Sequence, residues 1–163
     1  MKKCVFSGTF DPPTTGHEAI IKVCLETFDE VVVAVMVNPE KQPFLSAEDR
    51  LNLLKKLYSD EPRVKVRSFT GAAVDLLKAE NTKFYVRGVR DGIDLDYENR
   101  NLHASKKLMP ELITLYVPAP NEVDFVSSSL VRTSVRMNKD YESYIPAKIQ
   151  HDVKEILRCL KDR

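Results

Sequence analysis

Short apolar runs alternate with helical stripes along most of this chain. Cys4-Val5-Phe6 forms the first run, and Ile20, Ile21, Cys24, Leu25 and Phe28 recur at helical spacing after it. Val31 to Val37 is almost wholly β-branched, the pattern of a strand buried on both faces, and Asn38-Pro39 ends it. Ser46-Ala-Glu-Asp49 reads as a capped helix start, followed by the stripe Leu51, Leu54, Leu57 and Tyr58. Val64, Val66 and Phe69 alternate as a third strand. Gly71 opens a helix through Leu76 and Leu77, and Phe84-Tyr-Val86 is a fourth strand ending at Arg87-Gly88. Asp91 to Met109 reads as a helix stopped by Pro110, and Leu112 to Val117 as a fifth strand. Helical segments near Ser128–Arg136 and Pro146–Leu160 finish the chain, the second keeping a period through Ile149, Val153, Ile156, Leu157 and Leu160.

Strands separated by helices of this length call for a parallel, right-handed, doubly wound sheet. The expected fold is therefore α/β: a Rossmann-like, five-stranded parallel sheet with C-terminal helices. With no linker, repeat or low-complexity stretch, residues 1–163 are expected to form a single domain. Ligands of such sheets sit beyond the carboxyl ends of the strands.

Composition narrows the function classes. Apolar residues make up 43% and charged residues 30%, as in ordinary globular proteins. A net charge of +1 supplies no bulk field to draw in nucleic acid or an anionic membrane, so any phosphate recognition must be local. The run Val31 to Val37 is too short to span a bilayer, and the three apolar residues after Met1-Lys2-Lys3 do not read as a signal peptide. The three cysteines, Cys4, Cys24 and Cys159, are far apart and read as reduced packing residues of a cytoplasmic protein.

Chemistry concentrates where strands hand over to helices. Ser7-Gly-Thr-Phe-Asp-Pro-Pro-Thr-Thr-Gly-His17 joins the first strand to the first helix, where free backbone N–H groups can meet an anion. Gly8 and Gly16 allow close approach of a ligand, and Thr9 and His17 are neutral donors, a set that suits a nucleotide triphosphate. Lys41, on the Pro-stiffened loop after the second strand, offers a point charge to a phosphate. Arg87-Gly-Val-Arg90 places two guanidinium forks at the end of the fourth strand. Val126-Ser-Ser-Ser-Leu-Val-Arg132 sets three hydroxyls where a helix begins, able to cap it, to bind phosphate, or both. His103 and His151 have no partner motif and read as structural. The acidic run Asp91, Asp94, Asp96, Glu98 reads as a solvated helix start with favourable dipole placement, and no protein metal site is expected.

The order G-T-F-D-P-x-T-x-G-H, N-P-x-K, R-G-x-R…D-Y-E and S-S-S-x-x-R resembles the phosphopantetheine adenylyltransferases of the T/H-x-G-H nucleotidyltransferase superfamily, and the resemblance runs from Val5 to the C-terminal helices. It implies that ATP and 4′-phosphopantetheine give dephospho-coenzyme A and pyrophosphate, the penultimate step of coenzyme A biosynthesis, by direct in-line attack without a covalent intermediate. It also implies Mg²⁺ carried mainly on ATP's phosphates, a homohexamer, and possible feedback inhibition by coenzyme A.

Carried over by position, the catalytic set is His17, Thr9, Lys41 and Arg90. Thr9, Lys41, Ala73 and Arg87 would bind the acceptor, with Ala72 or Ala73 meeting the pantetheine arm through backbone. Thr9, Phe10, His17, Gly88, Val89, Arg90, Glu98, Val123, Asp124, Phe125, Val126, Ser127, Ser128 and Ser129 would bind ATP. The alternative is another small-molecule adenylyl or cytidylyl transferase of the superfamily, such as one using nicotinamide mononucleotide. Departures from the family pattern are Ser7, Pro13, Thr15, the small Ala72-Ala73 pair, and Asp91, which could pair with Arg90.

Overall fold

A computed structural model describes residues 1–161. Five strands form one sheet: β1 (Lys3–Gly8), β2 (Glu30–Met36), β3 (Val64–Phe69), β4 (Phe84–Val89) and β5 (Ile113–Pro118). All neighbours run parallel in the order β3-β2-β1-β4-β5. The helices are α1 (Thr15–Thr27), α2 (Ala47–Leu57), α3 (Ala73–Ala79), α4 (Gly92–Leu108), α5 (Ser128–Arg136) and α6 (Gln150–Lys161).

Alternation along the strands fills two layers. Cys4, Phe6, Val31, Val33 and Val35 meet Ile20, Ile21 and Cys24 of α1 and Leu54 of α2 on one face. Val5, Val32 and Ala34 meet Val74, Leu76 and Leu77 of α3, with Met109 and Leu112, on the other. Both faces of β1 and β2 are therefore buried, which is why their sequences read as near-continuous apolar runs. A third cluster joins Leu45 and Leu53 to Val131, Ile145, Ile149, Val153 and Leu157, fastening the C-terminal helices to α2.

Strand register opens the cleft. β1 pairs with β4 only over Cys4–Phe6 and Phe84–Val86, whereas β1 continues with β2 to Gly8↔Val35 and β4 with β5 to Val89↔Pro118. Beyond Phe6 and Val86 the two central strands part, at the point where the strand order reverses. β4 is thus longer than its apolar run predicts. Arg87, Gly88 and Val89 lie within the strand because β5 goes on pairing with them.

Two further boundaries differ from expectation. α3 begins at Ala73, not Gly71, and no side chain caps it. The segment after Pro146 makes a short 3-10 turn (Ala147–Ile149) before α6, with the Gln150 amide donating to the carbonyls of Glu142 and Ile145 at 2.9 and 3.1 Å. Cys4 and Cys24 are buried and free, but Cys159 is exposed, which corrects its reading as a packing residue. Among the described residues no helix is long and apolar enough to cross a membrane.

Candidate active site

The cleft between the parted strands has a volume of about 410 Å³. Its floor is the turn from β1 into α1. Thr14 caps α1, its hydroxyl accepting from the His17 backbone N–H at 3.4 Å, while the Thr14 backbone N–H donates to His17 Nδ1 at 3.0 Å. A backbone N–H can only donate, so Nδ1 carries no proton and the neutral ring keeps its hydrogen on Nε2. Burial pushes the His17 pKa down to about 4, and the positive charges of Arg87 and Arg90 add to the shift. His17 is therefore a neutral N–H donor at pH 7. The sequence reading of His17 as a neutral donor thus has its physical cause in the desolvated ring and the two neighbouring arginines. Phe10 packs against this ring with centroids 4.7 Å apart, and its own side chain is almost fully buried.

The loop before α1 is held on all sides. Phe10 has φ of 50°, an uncommon left-handed conformation for an aromatic residue. On either side of it, Arg50 Nη1 donates to the Thr9 carbonyl at 2.8 Å and Arg132 Nη1 to the Asp11 carbonyl at 2.7 Å. Ser128 Oγ donates to the Pro12 carbonyl at 2.8 Å. Gly16 lets the start of α1 approach the 123–126 segment: a Cβ there would stand 3.2 Å from the Val126 carbonyl oxygen.

The opposite wall belongs to β4 and α4. Arg87 Nη2 donates to Glu98 Oε1 at 2.7 Å, and Nη1 donates to the Ser7 carbonyl at 2.6 Å and to Tyr85 Oη at 3.3 Å. Burial opposes the Arg87 charge, but Tyr85 and Glu98 more than offset it and leave the pKa above the ordinary arginine value. Among the described residues its Nε is buried without a partner. Arg90 grips Asp94 through Nε at 2.9 Å and Nη2 at 3.3 Å. Asp91 does not take Arg90, as its place in the sequence suggested; it caps α4 by accepting from the Asp94 N–H at 2.8 Å. The acidic run is thus divided, Asp94 and Glu98 each holding one arginine.

Of the residues singled out from sequence, Thr9, Phe10, His17, Arg87, Gly88, Val89, Arg90, Glu98, Val123, Val126, Ser127, Ser128 and Ser129 line this one cleft. Lys41, Ala73, Asp124 and Phe125 do not line it. Lys41 is exposed on the loop between β2 and α2, and Ala72 and Ala73 open α3. The Phe125 ring lies edge-on to Tyr144 at 5.9 Å and is 58% exposed. The serines are only partly free: Ser127 caps α5, accepting from the Leu130 N–H at 3.0 Å, and Ser129 accepts from Arg132 at 3.0 Å.

The lining also includes Arg132, Tyr97 and Asp94, to which sequence reasoning gave no binding role. Arg132 had a local signal, the i,i+3 spacing from Ser129. Arg50, which holds Thr9, also had one: it shares a helical face with Leu54 and Leu57, unusual for a solvated arginine.

The cytidylyltransferase-like family matches residues 5–134. Curated relatives named phosphopantetheine adenylyltransferase include those of Flavobacterium johnsoniae, 38% identical over 90% of this chain and 95% of the relative, and of Clostridium tetani, 37% identical over 94% and 96%. The chain belongs to the phosphopantetheine adenylyltransferase family. It is a nucleotidyltransferase. A crystal structure from Vibrio parahaemolyticus, whose name refers to nicotinate-nucleotide adenylyltransferase, superposes with a TM-score of 0.70 over 96% of this chain and 95% of that one. At 20% identity it speaks for the shared Rossmann-like fold alone.

The family implies Mg²⁺, and the donor set offers it no protein cage. Asp94 and Glu98 are engaged by arginines, and no cluster of three or more His, Cys, Asp or Glu among the described residues could hold a metal ion. These residues do not fit a resident cation.

Proposed function

We propose that this enzyme transfers the adenylyl group of ATP to 4′-phosphopantetheine, giving dephospho-coenzyme A and pyrophosphate. The observation that carries this reading is the neutral, oriented donor of His17 in a cleft shared with Arg87, Arg90 and the serine-capped α5, in a chain about 38% identical to a curated relative of that name. An oxygen of the acceptor phosphate attacks the α-phosphorus in line. The bond to the β-phosphate oxygen breaks as the new P–O bond forms, and pyrophosphate leaves. No nucleophilic side chain intervenes. Catalysis then consists of positioning two polyanions and stabilising the charge that develops between them.

On this reading His17 Nε2–H donates to the α-phosphate as its charge grows. Thr9, the N–H groups at the start of α1, and Ser127 to Ser129 receive the nucleotide, with Gly88, Val89 and Arg90 beneath it. Arg87 and Lys41 receive the phosphate of the acceptor, Arg87 after exchanging part of its hold on Glu98. Any Mg²⁺ enters on the phosphates of ATP. Residues 1–163 act as a single nucleotidyltransferase domain, in a cytoplasmic homohexamer, in the penultimate step of coenzyme A biosynthesis, with coenzyme A as a feedback inhibitor.

Pyrophosphate release with ATP and a panel of acceptors tests this. Turnover is expected with 4′-phosphopantetheine, none with unphosphorylated pantetheine, and none with nicotinamide mononucleotide. Equal rates with and without the 4′-phosphate would remove Lys41 and Arg87 from their roles, and preference for the mononucleotide would replace the reading by its neighbour in the superfamily. Arg87→Lys should lose activity at low acceptor concentration, because a point charge cannot reproduce the guanidinium fork.

A further inference from the structure

Two loops reach across to each other behind the cleft. Asp11, on the loop before α1, is 5% exposed, and its two carboxylate oxygens accept from the backbone N–H groups of Phe44 and Leu45, each at 2.7 Å. Those residues end the loop that carries Lys41. In return Arg50, which follows that loop on α2, is 2% exposed and donates to the Thr9 carbonyl at 2.8 Å and, through Nε, to the Ser46 carbonyl at 3.3 Å. Each loop is therefore fastened by a buried charge from the other's side. Burial draws the Arg50 pKa below the ordinary arginine value, and the Asp11 charge acts against that shift.

Neither residue has a place in the transfer chemistry described above. Arg50 lies outside the cleft lining, as does Asp11, and both direct their charged atoms to backbone. They join the loop that carries Lys41 to the loop that carries Thr9 and leads into His17 at the start of α1. Charge-assisted bonds to backbone are stronger and more directional than neutral ones, so they suit this task better than apolar packing would. The strained backbone of Phe10 lies between Thr9 and Asp11, where an unbraced loop would relax.

We propose that Asp11 and Arg50 are positioning residues that tie the acceptor-side loop to the nucleotide-side loop and so set the approach of the two substrates. The proposal rests on the reading of Lys41, Thr9 and His17 given above. Its signature is loss of rate without loss of binding, because misplacement of about an ångström can cost on the order of 10²-fold in rate.

The test compares Asp11→Asn, Arg50→Lys and Arg50→Met with the wild type and with Lys41→Ala. Steady-state rates with ATP and 4′-phosphopantetheine are set against the Kd of ATP alone by calorimetry. Asp11→Asn keeps the shape of the side chain but turns one acceptor into a donor facing a backbone N–H. Its kcat should fall about tenfold to a hundredfold while the Kd of ATP stays within about threefold. In a Lys41→Ala background the same substitution should cost less than about threefold, since the loop it positions has lost its ligand. Arg50→Lys should recover part of the rate lost in Arg50→Met. If Arg50→Met does not fold, Asp11→Asn and Arg50→Lys decide.

A kcat loss that only tracks the unfolded fraction in circular dichroism, or a Kd that weakens in step with kcat, would overturn the proposal. The two layers separate cleanly. Wild-type turnover by Lys41→Ala ends the reading of Lys41, whereas a crippled Lys41→Ala beside a fully active Asp11→Asn ends the positioning role alone.

Discussion

On the α1 wall of the cleft, His17 is held by neutral contacts: a backbone N–H on Nδ1, the Thr14 cap and the tilted ring of Phe10. On the α4 wall, Arg87 and Arg90 are held by charge, each gripping a carboxylate of α4. The first arrangement leaves its donor unopposed, so it needs no rearrangement when charge develops on a phosphate. In the second, the bonded donors already face protein acceptors, Glu98 and Asp94 among them, and only Arg87 Nε is buried without one among the described residues. On the proposed reading a polyanion therefore exchanges places with one of these carboxylates. On that reading one wall acts in the transition state and the other binds and is displaced. Losses on the α1 wall should therefore appear in kcat, and changes on the α4 wall in stability or affinity.

The largest expected effect is that of His17→Ala. Removing one preorganised donor should lower kcat by about 10²–10³, with a much smaller change in the KM for ATP, as steady-state kinetics would register. A kcat within about threefold of wild type together with collapsed binding would make His17 a ground-state anchor and erase the contrast between the walls. The same residue gives a pH test. With its pKa pushed from the usual 6.5 to about 4, His17 in the folded protein should stay neutral where the unfolded chain takes up a proton. Stability from this group is fully present above about pH 6.5 and is lost as pH falls toward 4. Nitrogen-detected NMR should show a neutral ring protonated at Nε2 throughout pH 5.5–8; a midpoint near 6.5 would contradict the arrangement.

A middle-sized effect is expected from Glu98→Gln. Glu98 is the one buried residue of α4, and its oxygen meets a guanidinium whose Nε already lacks a partner. The amide can still accept a bond but no longer balances the charge. Urea denaturation should show a loss of about 2 kcal/mol, in the range for bonds to charged groups. Unchanged stability would mean that Ser7 and Tyr85 alone satisfy Arg87.

The fold was legible because its signals are local. Continuous β-branched runs, Ser46 before Glu48 and Asp49, and the Gly-His pair at the start of α1 each specify their element without help from afar. The candidate site was legible as a set of positions but not as a set of partners. Nothing near Arg87 in the chain announces that it will reach the Ser7 carbonyl, 80 residues away in sequence, or that Glu98 will hold it. Asp91 seemed the nearer partner for Arg90, yet the cap claims Asp91, and Arg90, just before the cap, reaches Asp94 on the first turn of α4 instead. Arg50 and Asp11 escaped for the same reason: their partners are backbone groups 41 and 33 to 34 residues distant. β4 was read short because its polar end is held by register with β5, which no pattern within β4 encodes.

The smallest effect should come from Asp94→Asn. The Arg90–Asp94 pair is partly open to solvent, its side chains 42% and 28% exposed, and pairs of this kind contribute about 0.3–0.5 kcal/mol. If Arg90 must leave Asp94 to meet the triphosphate, weakening the pair removes that opposition and also a negative charge from the path of the nucleotide. Both changes act in one direction, so the KM for ATP should fall about twofold to threefold while kcat stays within about twofold, at low salt where the pair is least screened. Raising the ionic strength should shrink the difference between variant and wild type. A KM that rises instead would mean that Asp94 orients the Arg90 fork for its ligand, and the α4 wall would then share the preorganised character of the α1 wall.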